Sequence, residues 1–261
     1  MKLLTLVFAL AALGCALAIA AAGPGTQMGW WSWGDGLSLI RQVSAPIKIF
    51  GPVSLSPLFT AAGVAALLGV VSLFMSARGI GVFAIIAALA AAGAGQVPLK
   101  MKANFEANPF IHDITTDFDN PPPIVVGAAM ERINPPDYLG DDIVPRSEKT
   151  VRQAQAEAFP DLTTQKVNAG LDETAEIVRV IVADMKMETL NETLNDDGWL
   201  IEAAFTSRWF GFIDDFVVRL SPEGSMTKVD VRSKSRVGGS DLGANAARVR
   251  AFLARLEEAT S

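Results

Sequence analysis

Apolar and polar residues alternate most clearly late in the chain. Phe216, Val218 and Leu220 alternate with Val217 and Arg219, the period of a strand with one buried face. Ser221-Pro222-Glu223-Gly224 has turn chemistry, with proline fixing φ and glycine free to turn. After it, Val229, Val231 and Ser233 face one way and Lys228, Asp230, Arg232, Lys234 and Arg236 the other, which predicts a hairpin with one wet, mostly basic side. Val237-Gly238-Gly239 breaks the strand, and Ser240 or Asp241 can cap a helix whose stripe is Leu242, Ala246, Val249, Leu253 and Leu256.

Working back, Met187–Leu194 and Trp199–Thr206 read as a second hairpin across Asn195-Asp196-Asp197-Gly198. A helix is expected from about Asp172, burying Leu171, Ala175, Val178, Val182 and Met185. Another should run from a Ser147 cap to about Phe159, with a short edge strand near Thr163–Asn168. Residues 108–146 form a proline-rich arm, because Pro121-Pro122-Pro123 and Pro135-Pro136 forbid helix. The expected fold of residues 100–261 is a two-layer α+β domain, an antiparallel sheet of about four strands with helices on one face.

The first 99 residues read differently. Leu3–Ala22, Leu55–Met75 and Gly79–Val97 are apolar runs long enough to cross a bilayer, so three transmembrane α-helices are expected. The first suits a cleaved signal peptide too, and Leu13-Gly14-Cys15 faintly resembles a lipoprotein box, but the run continues to Ala22 and favours an uncleaved span. Gly63, Ala66, Gly69, Gly93 and Gly95 let helices approach closely. Between the first two runs, Trp30, Trp31 and Trp33 suit a membrane interface. Leu37, Ile40, Val43, Ile47 and Phe50 suggest a surface helix interrupted by Pro46, or a loop packed on the bundle.

Charge sharpens the division. Of 22 Lys/Arg and 28 Asp/Glu, 18 and 27 lie from Lys100 onward, a formal −9 for that part. So acidic a domain excludes general nucleic-acid binding, which needs excess cations. Arg78 against Arg41, Lys48, Lys100 and Lys102 would by charge count alone put the domain in the cytoplasm. The signal-like start argues for three crossings from an inside N-terminus, which puts the domain outside. One cysteine, Cys15, does not decide between the compartments.

Three motifs carry a resemblance. They are Trp209-Phe210-Gly211-Phe212 with Asp214-Asp215, then Val229 to Gly238, and Ser240-Asp241-Leu242-Gly243-Ala244-Asn245 running on to Leu253. With Ile111 to Asp117 and the Pro121–Pro123 run, they resemble the bacterial and chloroplast domain-of-unknown-function family 1499 (DUF1499) over roughly Asn108 to Leu256. Gly239 departs from the larger residue usual there. The resemblance implies an exported or membrane-attached domain, brings no activity to carry over and points outward as well, so a bacterial inner-membrane protein with a periplasmic domain is expected.

Chemistry is sparse. His112 is the one histidine, which rules out multi-histidine metal sites, and no metal or other cofactor is expected. His112, Asp113, Asp117 and Asp119 lack the spacing of a cation loop and read as backbone-capping groups. A Ser240–His112–Asp241 triad lacks its nucleophile elbow. Adjacent Asp214 and Asp215 point to opposite strand faces, so they suit arginine pairing better than proton sharing. Asp214 or Asp215, Arg232, Arg236 and Asn245 are expected to form one network tying the Trp209–Phe212 turn to the last helix. Trp209, Phe210 and Phe212 are core residues or the walls of an apolar groove, and Gly238-Gly239-Ser240 is a cap or an anion site. With those polar residues and Ser240 they make up the candidate partner-binding set.

The leading expectation is an accessory or scaffold protein held in the lipid bilayer, whose extracytoplasmic domain binds a lipid or another membrane protein. The alternative is a hydrolase of envelope lipids or glycans using His112 with Asp113, Asp117 or Asp241.

Overall fold

The first apolar run forms α1 (Lys2–Gln27), a helix of 26 residues. The structure is a computed structural model describing residues 1–50 and 52–261. They divide into two compact units: Met1–Ala103 with Arg208–Gly211, and Asn104–Ser207 with Phe212–Ser261.

In the first unit, Ser32 and Asp35 close a reciprocal capping box that starts α2 (Trp33–Ser44). Pro46 follows this helix, but the chain then enters a small antiparallel hairpin, β1 (Ile47–Phe50) and β2 (Val53–Leu55), instead of continuing as helix. Pro57 opens α3 (Pro57–Leu73), where its missing N–H costs nothing. Then come α4 (Arg78–Ala94) and α5 (Gln96–Ala107). Two helical stretches among the described residues, Lys2–Gln27 and Arg78–Ala107, are long and apolar enough to cross a membrane. The third expected span is shortened. Leu55 is drawn into the hairpin opposite Ile47, and α3 is left with 17 residues.

Packing within this unit is inverted relative to a water-soluble core. Ala9, Ala12, Ala16, Ala61, Ala65, Ala84, Ala87 and Ala91 are buried, while Leu3, Leu10, Leu17, Leu67, Ile86 and Leu89 are exposed. Helices α3 and α4 approach closely at Gly69 and Gly81. A methyl group on Gly81 would lie 2.7 Å from the Gly69 carbonyl oxygen.

The second unit is α+β, as expected, but larger in sheet and in layers. Its antiparallel sheet has six strands among the described residues: β3 (Asp113–Thr115), β4 (Gln165–Val167), β5 (Glu188–Asn195), β6 (Gly198–Thr206), β7 (Ile213–Glu223) and β8 (Met226–Ser235). The order is β3-β8-β7-β6-β5, with β4 pairing the first half of β8 on the edge that β3 completes. The expected four strands leave out the three-residue β3 and the edge piece β4, both of which pair with β8. The first helix here, α6 (Val151–Ala158), starts from a Thr150–Gln153 capping box instead of Ser147.

Gln155 of α6 extends the edge of β3 as a neighbouring strand would. Its Nε2 donates to the Thr115 carbonyl at 2.6 Å and its Oε1 accepts the Thr115 N–H at 3.1 Å. Two longer helices, α7 (Leu171–Asp184) and α8 (Ala244–Ala259), cover one sheet face. Their Val178, Val182, Val249 and Phe252 share a core with Ile201, Phe216, Val218, Val229 and Val231. The opposite face is not wet. The proline-rich arm lies over it, so the two-layer expectation becomes three layers, and Asp230, Arg232, Lys234 and Arg236 are buried.

Candidate functional site

Strand alternation sets the geometry. With Phe216, Val218 and Val231 committed to the helix-covered face, Asp215, Arg219, Asp230, Arg232 and Lys234 must face the arm. There each charge meets its opposite. Arg232 donates from Nε to Asp113 Oδ1 at 3.0 Å and from Nη2 to Asp113 Oδ2 at 2.8 Å, and Lys234 Nζ reaches Asp113 Oδ2 at 2.9 Å. Remaining donors go to arm carbonyls, those of Pro122 and Pro136 for Arg232 and of Asp137 for Lys234. Burial lowers the Lys234 pKa, opposed by Asp113, and burial raises that of the Tyr138 phenol, whose ring lies 5.5 Å from the Arg232 guanidinium carbon. Arg236 and Arg132 take opposite oxygens of Asp215. Arg219 bridges Asp117 and Asp230. Burial alone would raise Asp117, but the Asn120 and Asp119 N–H groups, with Lys228 and Arg219, hold it below the usual carboxylate range.

Glu202, 1% exposed, has another role. Its carboxylate accepts the N–H groups of Val125, Val126 and Gly127, at 2.9 to 3.2 Å, and so pins the arm to β6.

Asp214 faces the helices. Arg248 of α8 donates from Nη2 to Asp214 Oδ2 at 2.7 Å and from Nη1 to Ser233 Oγ and Asn245 Oδ1, its guanidinium lying 4.2 Å from the Phe205 ring centroid. Asn245 Nδ2 donates to Ser235 Oγ and to the His112 carbonyl. The single expected network is therefore divided between the two faces of the sheet. Asp215 pairs with Arg236 as expected, Arg232 belongs to Asp113, and Asn245 belongs to Asp214 through Arg248. At the entry to α8, Asp241 accepts the N–H groups of Gly243 and Asn245, and burial raises its carboxyl pKa to about 6. Ser240 Oγ accepts the Leu242 N–H.

Beside β3 lies a cavity of about 230 Å³, walled by Phe110, Ile111, Leu139, Ile143, Pro145 and Val151. His112, Asp113, Asp142 and Lys234 supply its polar lining. The His112 Nδ1 lies 3.3 Å from the Gly239 carbonyl oxygen. A carbonyl only accepts, so Nδ1 carries the proton there. Burial, then Lys234, lower the His112 pKa, which keeps the ring neutral and leaves Nε2 with the lone pair. Asp113, Asp117 and Asp241 are held by the cations and N–H groups already described, not by His112. A larger, shallower hollow of about 580 Å³ lies between the Asn195–Gly198 turn, Pro222 and Lys228. Its cations Arg219 and Lys228 already face Asp117 and Asp230. Among the described residues no group of three His, Cys, Asp or Glu is placed to hold a metal ion.

The aromatic turn is divided between the two units. Trp209 and Phe210 belong to the first unit, where Gln27 Nε2 donates to the carbonyls of Arg208 and Trp209, Trp209 packs on the alanine core, and Phe210 is buried. Phe212 belongs to the second, its N–H donating to Ser207 Oγ.

Sequence reading missed Glu202, Arg248 and Gln155. Arg248 had a signal, since Asn245, Arg248 and Phe252 share one side of α8 at helical spacing. Glu202 sits on the polar side of an alternating strand and had none.

The family model described as "Protein of unknown function (DUF1499)" matches residues 113–256. No curated protein and no solved structure gives a significant match.

Proposed function

We propose that this chain, which belongs to the DUF1499 family, is a membrane-anchored accessory protein whose α+β domain holds a lipidic or protein partner in the bacterial periplasm. The inverted packing of the helical unit carries the reading. Alanine inside and leucine outside is unfavourable in water and suits hydrocarbon, where close backbone approach drives association. In this reading α1 and α4 cross the bilayer, and α3, whose 17 residues are at the lower limit for a span, makes the third crossing. The signal-like start then places the domain outside.

Alkaline carbonate washing of membranes tests the anchor, and a C-terminal alkaline phosphatase fusion tests the side. Retention in the pellet and phosphatase activity are expected. Release by carbonate overturns the anchor, and a dark phosphatase fusion with a bright fluorescent-protein fusion overturns the compartment. Copurification in mild detergent with lipid and protein mass spectrometry tests the partner. Recovery of bare protein from several detergents overturns that part.

The hydrolase alternative draws support from one observation, a neutral His112 on a cavity wall. Turnover of envelope lipids or glycans that is abolished by His112→Gln would establish it.

A further inference from the structure

We propose that the cavity beside β3 binds the aliphatic chain of an uncharged alcohol, with the His112 imidazole accepting the ligand's hydroxyl. This rests on the partner-binding reading above and names both the site and the chemistry it takes.

The walls come first. Phe110, Ile111, Leu139, Ile143, Pro145 and Val151 present carbon to the cavity, and Leu139 and Ile143 remain 40% and 59% exposed. Large aliphatic residues left in water around a concave apolar surface mark a binding site more often than a packing fault. The volume of about 230 Å³ is below the roughly 300–1,000 Å³ of sites for drug-sized molecules. It therefore suits a short or medium alkyl chain better than a fused ring system.

The polar lining then selects the head group. Asp113 answers both Arg232 and Lys234, which leaves that trio one positive charge in excess, and Lys234 also donates to the Asp137 carbonyl. Asp142 adds a carboxylate at an exposed position. Counted together with Asp142 the trio carries no net charge, so an anionic head would give up its hydration here without gaining a counter-ion, a cost that a neutral head escapes. His112 supplies the complementary group. Its Nδ1–H is committed to the Gly239 carbonyl, which fixes the tautomer and leaves Nε2 as an acceptor. An acceptor in an apolar, nearly neutral recess selects a neutral donor, and a hydroxyl on an alkyl chain is the simplest ligand that satisfies both. Such alcohols arise from lipids, as monoacylglycerols, or as free alkanols, and both present the same chemistry here.

A sole histidine makes the test direct. The full chain, with ¹⁵N-histidine, is placed in nanodiscs and its ring nitrogens are followed by NMR. The free protein is expected to show a neutral ring with the proton on Nδ1. Adding 1-octanol should shift the Nε2 signal saturably, while octanoate at equal concentration should not. Monooctanoylglycerol is run in parallel. A tighter response to it assigns the lipid-derived source, and a tighter response to octanol the free alkanol.

Ile143→Asp, at an exposed position, should abolish the response with folding intact. His112→Leu should weaken octanol binding by about tenfold, the worth of one hydrogen bond. A charged ring, a proton on Nε2, an equal response to octanoate, or no response to either alcohol would each overturn the proposal. If lipid still copurifies in that case, the partner-binding reading survives and this site does not.

Discussion

Arg232 and Asp113, 119 residues apart in the chain, meet as a two-pronged buried ion pair, with Nε–Oδ1 at 3.0 Å and Nη2–Oδ2 at 2.8 Å. Lys234 joins them from two residues along β8, so one carboxylate serves two buried cations. Asp113→Asn should therefore lower the unfolding free energy by about 3–5 kcal/mol, because two buried charges lose their counter-ion. Pulse proteolysis of the detergent-solubilised chain measures this. Replacing the whole set, Asp113→Leu with Arg232→Met and Lys234→Met, should recover most of the loss, since apolar groups of similar size need no partner.

Glu202 predicts a more local failure. Glu202→Gln keeps the shape but weakens the acceptor shared by three backbone N–H groups, at a cost of about 1–3 kcal/mol. The arm between Pro121 and Asp137 should be nicked faster by a non-specific protease, while the far-ultraviolet spectrum of the sheet is unchanged. Identical nicking rates would show that the arm is held by its other contacts.

Asp241 makes stability depend on pH in a defined direction. Its folded pKa of about 6 lies above the ordinary 3.8, so the folded state binds the extra proton between those values. Its contribution is fully present below about pH 4 and is lost as pH rises through about 6. Asp117, held below the usual range, acts oppositely, its contribution being lost as pH falls. Subtracting the melting curves of Asp241→Asn from wild type isolates the first effect. The difference should shift against wild type between about pH 4 and 6 and flatten beyond it.

Glycine contacts test the helical unit. Gly81→Leu puts carbon against the Gly69 carbonyl and should separate α3 from α4, at a cost of about 1–3 kcal/mol. Gly63 and Gly93 face open space, so leucine there should change little. Thermal melting in detergent of the three variants checks the contrast.

Much of the sheet was legible because β6, β7 and β8 are long enough for alternation to show, and because Asn195 to Gly198 is strong turn chemistry. The split of Asp214 from Asp215 followed from the same period. What alternation does not encode is the environment of the polar face. Lys228, Asp230, Arg232 and Lys234 give the same pattern whether water or a second layer lies above them. The groups that decide it are Asp113, Pro122, Pro136 and Asp137, about a hundred residues earlier, on an arm with only three residues of strand. The cavity escaped for a related reason, since its walls come from that arm, α6 and the loop before α8.

Because β8 pairs with β7 on one side and with β3 and β4 on the other, the last strand to be synthesised is the one the earlier pieces wait for. Asp113 leaves the ribosome 119 residues before Arg232. Until then β3 and β4 have no strand to pair with, and the long loop closures make closure of the domain late and slow. A chain cut between Glu223 and Met226 would leave β3 and β4 unpaired, with β7 exposed as a hydrophobic edge strand. Quality control at the point of synthesis thus has a sharp criterion in this protein, the arrival of its final strand.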